Sequence, residues 1–417
     1  MERMARADAE RATGDAARSG FDPERLARID AFLKERYLDT GKLPNAQLLI
    51  ARDGEIAHFS HQGASREDGG AIDEGSLFRI ASMTKPITSA AFMILVEEGK
   101  VAVDTPVHHV LPELKGVGVY NGGGAGVPFL SKATVEPMRM LDLLRHTSGL
   151  TYGFQNRSNI DAAYREAKLG EWHGGHDLQQ FVAALGQLPL EFSPGEAWNY
   201  SVSTDVLGAV VERVSGQGLD QFFHERLFAP LGMDDTFFQV PADKVERLTD
   251  CYVWHPKKRE RVMFDAGGQS GWAKRPNLLS GGGGLVSTAL DYHRFCQMCA
   301  NGGTLDGARV LGRKTLDLMR MNHLPNKADL SSMSRSLFSE TQNAGTGFGL
   351  GFAVVQDVAK TMMPGSLGEY YWGGMFSTAF FIDPVERLHM VFMTQLSPSA
   401  LYPIRRELKT MIYSALT

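Results

Sequence analysis

Cysteine is scarce in this chain: three residues, Cys251, Cys296 and Cys299, among 417. An odd, small number argues against a disulfide framework. Cys296 and Cys299 form a lone C-x-x-C, without the second pair or nearby histidines that a zinc or redox site wants. The run from Asp291 to Ala300 reads as helix, with both thiols on one face as small apolar core residues. No metal and no cofactor is therefore expected. Long hydrophobic runs are also missing, since no window reaches the ~18 apolar residues of a membrane span. The charged opening, Met1 to Glu10, has no apolar signal segment. The expectation is a cytoplasmic chain with no membrane contact. Charge of one sign is lacking too: 43 basic against 48 acidic residues, net −5, leave no footprint for nucleic acid. There is no H-E-x-x-H, no Walker A and no G-x-S-x-G, so the metalloprotease, P-loop and α/β-hydrolase schemes lack their signatures.

What is present is an ordinary globular composition, 43% hydrophobic and 22% charged, and an abundance of glycine, 45 residues. The length suits two or three domain-sized units, or one large α/β core carrying a second lobe. Residues 1–20 are polar and alanine-rich and read as a flexible arm. Asp22-Pro23-Glu24 opens a helix, with Leu26, Ile29, Phe32 and Leu33 at helical spacing. Two apolar runs, Ala46–Ala51 and Glu55–Ser60, flank Arg52-Asp53-Gly54, a strong hairpin signal. A matching pair, Ser377–Ile382 and Leu388–Thr394, lies near the other end, followed by a helix from about Tyr402 to Ser414. Hairpins at both ends predict one antiparallel sheet that gathers the two ends of the chain. Between them, Pro137–Arg145, Asn159–Leu169, Asp177–Leu185, Val202–Val214 and Asp220–Leu227 read as helices. The division predicted is an α/β domain from 21–130 and 250–417, interrupted by a mainly helical domain over 131–249. Two glycine-rich stretches, Gly116–Gly126 and Ser280–Gly284, read as loops.

The chemistry gathers on one serine. Ser82-Met83-Thr84-Lys85-Pro86 starts a strongly apolar helix that runs to Gly99. Pro86 sits in the first turn, where its missing N–H costs little. The helix N-terminus carries partial positive charge, which favours an alkoxide or oxyanion at Ser82. Lys85 is one turn on and on the same face, ~5–6 Å away between Cβ atoms. Apolar neighbours and the dipole both lower a lysine pKa, so Lys85 can take the serine proton. No other serine of the chain has a lysine at the third position after it. A Ser–His pair at His146 and Ser148 fits less well, because i and i+2 do not face each other at a helix end.

Ser82-x-x-Lys85 on a buried helix resembles the serine β-lactamases and penicillin-binding proteins, and more closely the class C β-lactamase-like esterases, the family VIII carboxylesterases. Other segments carry the likeness in the same order: His146-Thr147-Ser148-Gly149-Leu150, then Pro194-Gly195-Glu196-Ala197-Trp198-Asn199-Tyr200-Ser201, then Ser280–Thr288 and Gly347–Phe352. The resemblance spans about residues 22 to 415. It implies an α/β plus all-α fold, an antiparallel sheet flanked by helices with a mostly helical insertion lobe. It implies that Tyr200 is the catalytic tyrosine beside Lys85, a phenol suited to general acid–base work. Trp372-Gly373-Gly374 stands where β-lactamases have Lys-Thr-Gly and looks like the W-x-G variant of the esterases. By the same resemblance Trp372, Gly373, Gly374 and Met375 are the oxyanion-hole and substrate-binding residues, with the N–H groups of Ser82 and Met375 as donors.

Two departures bear on the reaction. The strand lysine is replaced at Trp372, and Val202 stands where β-lactamases place an asparagine two residues after the tyrosine. Losing both removes handles for the amide and carboxylate of a β-lactam and makes that side of the site more apolar. The expected reaction is hydrolysis of small neutral carboxylic esters, with weak cephalosporin hydrolysis retained. Alternatives on the same nucleophile are a β-lactamase or D-amino-acid peptidase, an acyltransferase, or a penicillin-binding sensor that acylates without turnover. The expected partner is a small-molecule ester; the sequence does not specify an oligomeric state.

Overall fold

The computed structural model describes residues 16, 19–172, 175–335 and 344–417. Most of the expected arm, residues 1–15 and 17–18, lies outside the described residues. Its end is tied in: the Gly20 carbonyl accepts from Arg52 at 3.0 Å and from the Thr417 N–H at 3.2 Å.

The N-terminal helix α1 (Pro23–Leu33) is capped by Asp22, whose carboxylate accepts from the Glu24 and Arg25 N–H groups. Strands β1 (Asn45–Arg52) and β2 (Glu55–Gly63) follow. Asp53 and Gly54 between them both have positive φ, 55° and 88°, as a two-residue hairpin turn requires. Helix α2 (Thr84–Glu97) comes next, then the helical segment with α3 (Met140–Leu144), α4 (Asn159–Glu166), α5 (Leu178–Leu185) and α6 (Ser203–Ser215). The chain returns through α7 (Ala289–Ala300) to β3 (Thr346–Phe348), β4 (Ala353–Val355), β5 (Tyr370–Gly373), β6 (Ala379–Asp383), β7 (Leu388–Met393) and helix α8 (Ile404–Ser414).

The sheet has seven strands in the order β3-β4-β5-β6-β7-β1-β2, every pair antiparallel. The first hairpin docks on the last, β1 against β7, as the two terminal signals predict. Both faces are covered, so β1 is buried almost end to end. Its side chains still alternate. Leu48 and Ile50 join Ile29, Leu33, Ile404 and Leu408 of α1 and α8, while Leu49 and Ala51 face the cluster that holds α2 and α7. That inner cluster continues into the helical segment, where Val206, Leu207 and Val210 of α6 share one core with Ile87 and Ala91 of α2. Burying each large apolar side chain of this kind is worth roughly 1.5–3 kcal/mol before entropy is counted.

One expected loop is not a loop. The glycine-rich stretch 116–126 contains strand Val119–Gly124, paired with Val127–Lys132. The pairing is irregular at Gly122 and Gly124, and a Cβ on Gly123 would stand 2.1 Å from the Pro128 carbonyl oxygen. Glycine there permits close approach of two strands. The three cysteines are free and buried, Cys296 and Cys299 inside α7 as expected. Among the described residues no helix is long and apolar enough to cross a membrane.

Candidate active site

Ser82 stands at the head of α2, in a 3-10 turn over Ala81–Met83 that runs into the α-helix. The turn is pinned from both sides. Phe78-Arg79 pairs with Val286-Ser287, and the Ile80 N–H donates to the Leu285 carbonyl at 3.0 Å. Arg79 is fully buried, ion-paired with Asp265 and bonded to the Thr249 carbonyl at 2.6 Å. Ala81 is held at φ 44°, a left-handed conformation that a residue with a Cβ adopts only under constraint. That bend turns Ser82 toward a cavity of about 610 Å³, whose wall includes its side chain.

Lys85 follows one turn later and is 2% exposed. Its Nζ donates to Ser82 Oγ at 3.2 Å, to the Tyr152 hydroxyl at 3.0 Å and to the Gly282 carbonyl at 2.6 Å. Tyr200 approaches from the start of α6, and its hydroxyl lies 2.6 Å from Ser82 Oγ. The Lys85 ammonium sits over the Tyr200 ring, 4.6 Å from its centre. Two sequence blocks hold Tyr200 there by pairing with each other: Gly195 N–H donates to Thr147 O, and Asn199 N–H to His146 O. Ser82 and Lys85, three residues apart, thus meet Tyr200, 118 residues beyond Ser82, as the sequence reading expected. His146 does not join them. Its ring contacts Tyr200 and Phe348 and its Nδ1 faces Ser201 at 3.3 Å, while Ser148 bonds Ser203.

The strand residues divide. Met375 lines the cavity with Ser82, but Trp372, Gly373 and Gly374 stand behind the wall. Trp372 is 2% exposed and packs against Tyr200 at 5.5 Å and Phe348 at 5.3 Å. Gly373 and Gly374 leave room for backbone contacts. A Cβ on Gly374 would meet the Ile80 carbonyl at 2.4 Å, and one on Gly373 would meet the Arg405 guanidinium at 2.5 Å. Arg405 of α8 donates to the Gly374 and Thr378 carbonyls, 2.7 Å each, and so fixes the turn that carries Met375. Trp372, Gly373 and Gly374 thus support Tyr200 and that turn. Val202 also stands behind the wall. It is fully buried at the N-terminus of α6 and is absent from the cavity wall, so it does not make the site apolar.

The apolar wall comes from residues that pattern reading missed: Tyr152, Phe154, Tyr164, Leu169 and Trp172. Tyr152 and Phe154 stack at 4.7 Å. Arg165 and Glu171 also line it, so the cavity is not free of charge, although Arg165 is paired with Asp161 at 2.8 Å. Tyr152 was findable, lying two residues beyond the recognised Leu150, but no spacing rule links it to Lys85. Asp205 gave no sequence signal at all.

Burial, then the Asp205 and Tyr200 charges, push the Tyr152 phenol well above its ordinary pKa, so it stays protonated. Burial pushes the Asp205 carboxyl up, opposed first by the Lys85 charge and then by bonds from Ser280 and Gly282. Burial and the Lys85 charge hold His146 well below its usual range, so it is neutral. The arrangement is a serine hydroxyl with an amine and a phenol in hydrogen-bond reach, opening on an apolar cavity, which is the constellation of an activated nucleophile.

Fold and constellation together define a serine hydrolase on the β-lactamase and penicillin-binding-protein architecture. Residues 29–410 match the Beta-lactamase family profile, and the chain belongs to that family. It is 37% identical over 364 residues to an uncharacterized protein of Mycobacterium tuberculosis, covering 86% of this chain and 88% of that one. It is 32% identical to esterase EstB of Burkholderia gladioli, covering 93% and 95%. Among solved structures it is similar to EstCE1, described as a hydrolase with promiscuous acyltransferase activity. That match has a TM-score of 0.77 and 26% identity, and covers 94% of this chain and 98% of that one. Within the family the likeness is to the β-lactamase-like esterases.

Proposed function

We propose that the protein is a carboxylesterase that works through an acyl-enzyme on Ser82. The observation that carries this reading is Ser82 Oγ held 2.6 Å from the Tyr200 hydroxyl and 3.2 Å from Lys85 Nζ at the cavity floor. Ser82 Oγ bonds to the ester carbonyl carbon as its proton passes to the Tyr200–Lys85 pair. The oxyanion is received by the N–H groups of Ser82 and Met375, a contribution of ~2.7–4 kcal/mol per donor. The carbonyl collapses, the bond to the alkoxide breaks, and the alkoxide leaves with the stored proton. Water then adds to the acyl carbon, gives a proton to the same pair, and Ser82 departs with it, releasing the acid.

The proposed division of residues 21–130 and 250–417 from 131–249 is consistent with this reading. Ser82, Lys85 and Met375 come from the first part and Tyr152 and Tyr200 from the second, so the reacting group sits at their junction. The esterase relatives favour esters, and a strand without the β-lactamase lysine favours neutral ones. The apolar wall favours a substantial hydrophobic group on the substrate, since ~300–1,000 Å³ is the range of drug-sized ligand sites.

The test is labelling with a fluorophosphonate, followed by kcat/KM for an ester chain-length series and one cephalosporin. The expected result is an adduct on Ser82 and a large preference for the esters. An adduct elsewhere overturns the reading, and preferential cephalosporin turnover makes the protein a β-lactamase instead. Acyl transfer has a named precedent in EstCE1, and transester product in the presence of an alcohol acceptor would identify it.

A further inference from the structure

We propose that Asp205 is a positioning residue for Lys85, acting through the Ser280–Gly284 loop. The inference rests on the Ser82 acyl-enzyme reading and deepens it. Asp205 lies in the first turn of α6, five residues after Tyr200, and is 1% exposed. A lone buried carboxylate is costly unless its oxygens are bonded and its charge is balanced. Here Oδ1 accepts from the Gly282 N–H at 3.0 Å and from the Ser280 hydroxyl. The carbonyl of the same residue, Gly282, accepts from Lys85 Nζ at 2.6 Å. One glycine therefore stands between a carboxylate and an amine, bonded to both.

The glycine identity follows from this contact. A Cβ on Gly282 would lie 2.5 Å from Asp205 Oδ2, and one on Gly281 would lie 2.7 Å from the Thr204 carbonyl. The loop is strapped to α2 as well, because Thr88 Oγ1 donates to the Gly281 carbonyl at 2.7 Å and the Leu285 N–H to Thr84 Oγ1 at 3.2 Å. Asp205 closes the third side of the frame.

Two consequences follow for Lys85. One of its protons is committed to Gly282, so rotation about its last bond is stopped and the direction toward Ser82 and Tyr152 is set. Its charge is also balanced from across a glycine residue rather than by contact. The charged and titratable groups around it are Asp205 from α6, Tyr200 from the segment just before it, Tyr152 from the turn after Leu150, and His146 from just beyond α3. His146 is neutral and Tyr152 protonated, and Asp205, raised by burial but drawn back by the Lys85 charge and the bonds from Ser280 and Gly282, is the carboxylate that faces Lys85. An anion there favours the ammonium and keeps Lys85 able to return the proton to the leaving alkoxide.

The test compares wild type, Asp205→Asn and Ser280→Ala on p-nitrophenyl butyrate from pH 5 to 10, with fluorophosphonate labelling of Ser82 in each. Asp205→Asn is expected to lower kcat by about 100-fold, the cost of a small misplacement of a reacting group. KM should change less than about threefold, and the acid limb of kcat/KM should move down by about one pH unit, because the amide no longer favours the ammonium. Ser280→Ala, which keeps the carboxylate and the Gly282 bond, should lower kcat a few-fold without moving the limb. An Asp205→Asn enzyme whose limb stays in place overturns the proposal, even if kcat falls. If that variant does not fold, a Ser280→Ala enzyme with unchanged kcat overturns it. Absence of a Ser82 adduct in the wild type would instead remove the acyl-enzyme reading beneath it.

Discussion

The molecule contains two buried lysines in nearly the same company. Lys85 sits over the rings of Tyr200 and Tyr152, at 4.6 and 5.3 Å, with Asp205 nearby. Lys409 of α8 sits over Tyr371 and Tyr413, at 5.9 and 5.8 Å, with Glu369 and Asp383 nearby. The difference is in how charge is met. Lys409 Nζ contacts Glu369 directly at 2.6 Å, and the Tyr413 hydroxyl bonds the other Glu369 oxygen at 2.7 Å. Burial raises the Glu369 carboxyl and Lys409 opposes it. Among the described residues, none of that group lines the large cavity. Lys85 instead bonds two hydroxyls and a carbonyl, with its carboxylate on the far side of Gly282, and both hydroxyls belong to residues that line the cavity. Contact pairing makes a fastener between strand and helix, whereas pairing across a glycine residue leaves protons that can move.

Substitutions should separate the two groups. The largest effect is expected at Ser82→Ala and Lys85→Ala, each lowering ester turnover by at least about 10⁴-fold with little change in Tm. Steady-state assays beside thermal melts check this, and a Lys85→Ala enzyme of near-normal kcat would erase the contrast. Tyr200→Phe keeps the ring under Lys85 and removes only the hydroxyl, so kcat should fall about 10²–10⁴-fold; normal turnover refutes the acid–base role. At the other lysine, Glu369→Gln leaves Lys409 without its counter-charge. Unfolding in urea should show a loss of about 3–5 kcal/mol, while kcat per folded molecule stays constant. If activity falls and stability does not, the two groups have been assigned the wrong way round.

A third buried pair sharpens the point by having no net charge. His293 of α7 and His389 of β7 stack, with Nδ1 and Nε2 2.7 Å apart. Burial and the Arg294 charge push His293 down to about 4, and burial with the His293 charge holds His389 well below its ordinary value. In the unfolded chain both return to about 6.5. Between those values the unfolded state binds protons that the fold refuses, so stability is complete above pH 6.5 and is lost as pH falls toward 4. The slope should be about 1.4 kcal/mol per pH unit for each independent ring. Melts of wild type and of the His293→Leu, His389→Leu double variant, at pH 7 and 4.5, measure it; an equal slope in both removes the pair as the cause. The smallest effect is expected at the cavity mouth. Phe154→Ala loses the stack on Tyr152 and should raise KM about two- to tenfold with kcat unchanged.

Much of this was legible in residue order. The Asp53-Gly54 turn specified its hairpin through two positive φ angles, and apolar runs at both ends of the chain specified an antiparallel sheet joining them. Ser82-x-x-Lys85 before an unbroken apolar helix marked the nucleophile, because a helix start and a one-turn spacing are local facts. Tyr200 was readable through its surrounding block. Gly116–Gly126 was misread, since glycine that breaks a strand and glycine that lets two strands touch leave the same letters. Val202 and Trp372 were read as cavity residues, but side-chain direction at a helix start or on a strand depends on what packs against it.

The sequence by itself therefore determined the elements, the nucleophile and its amine, because each depends on neighbours within a turn or a hairpin. Tertiary structure alone decided that Tyr152 and Asp205 join Tyr200 around Lys85, and which lysine is a fastener. Those outcomes depend on burial and on distances across the chain, such as Gly282 lying between Asp205 and Lys85. In a low-dielectric interior it is such distances that set whether a charge is cancelled or left able to act.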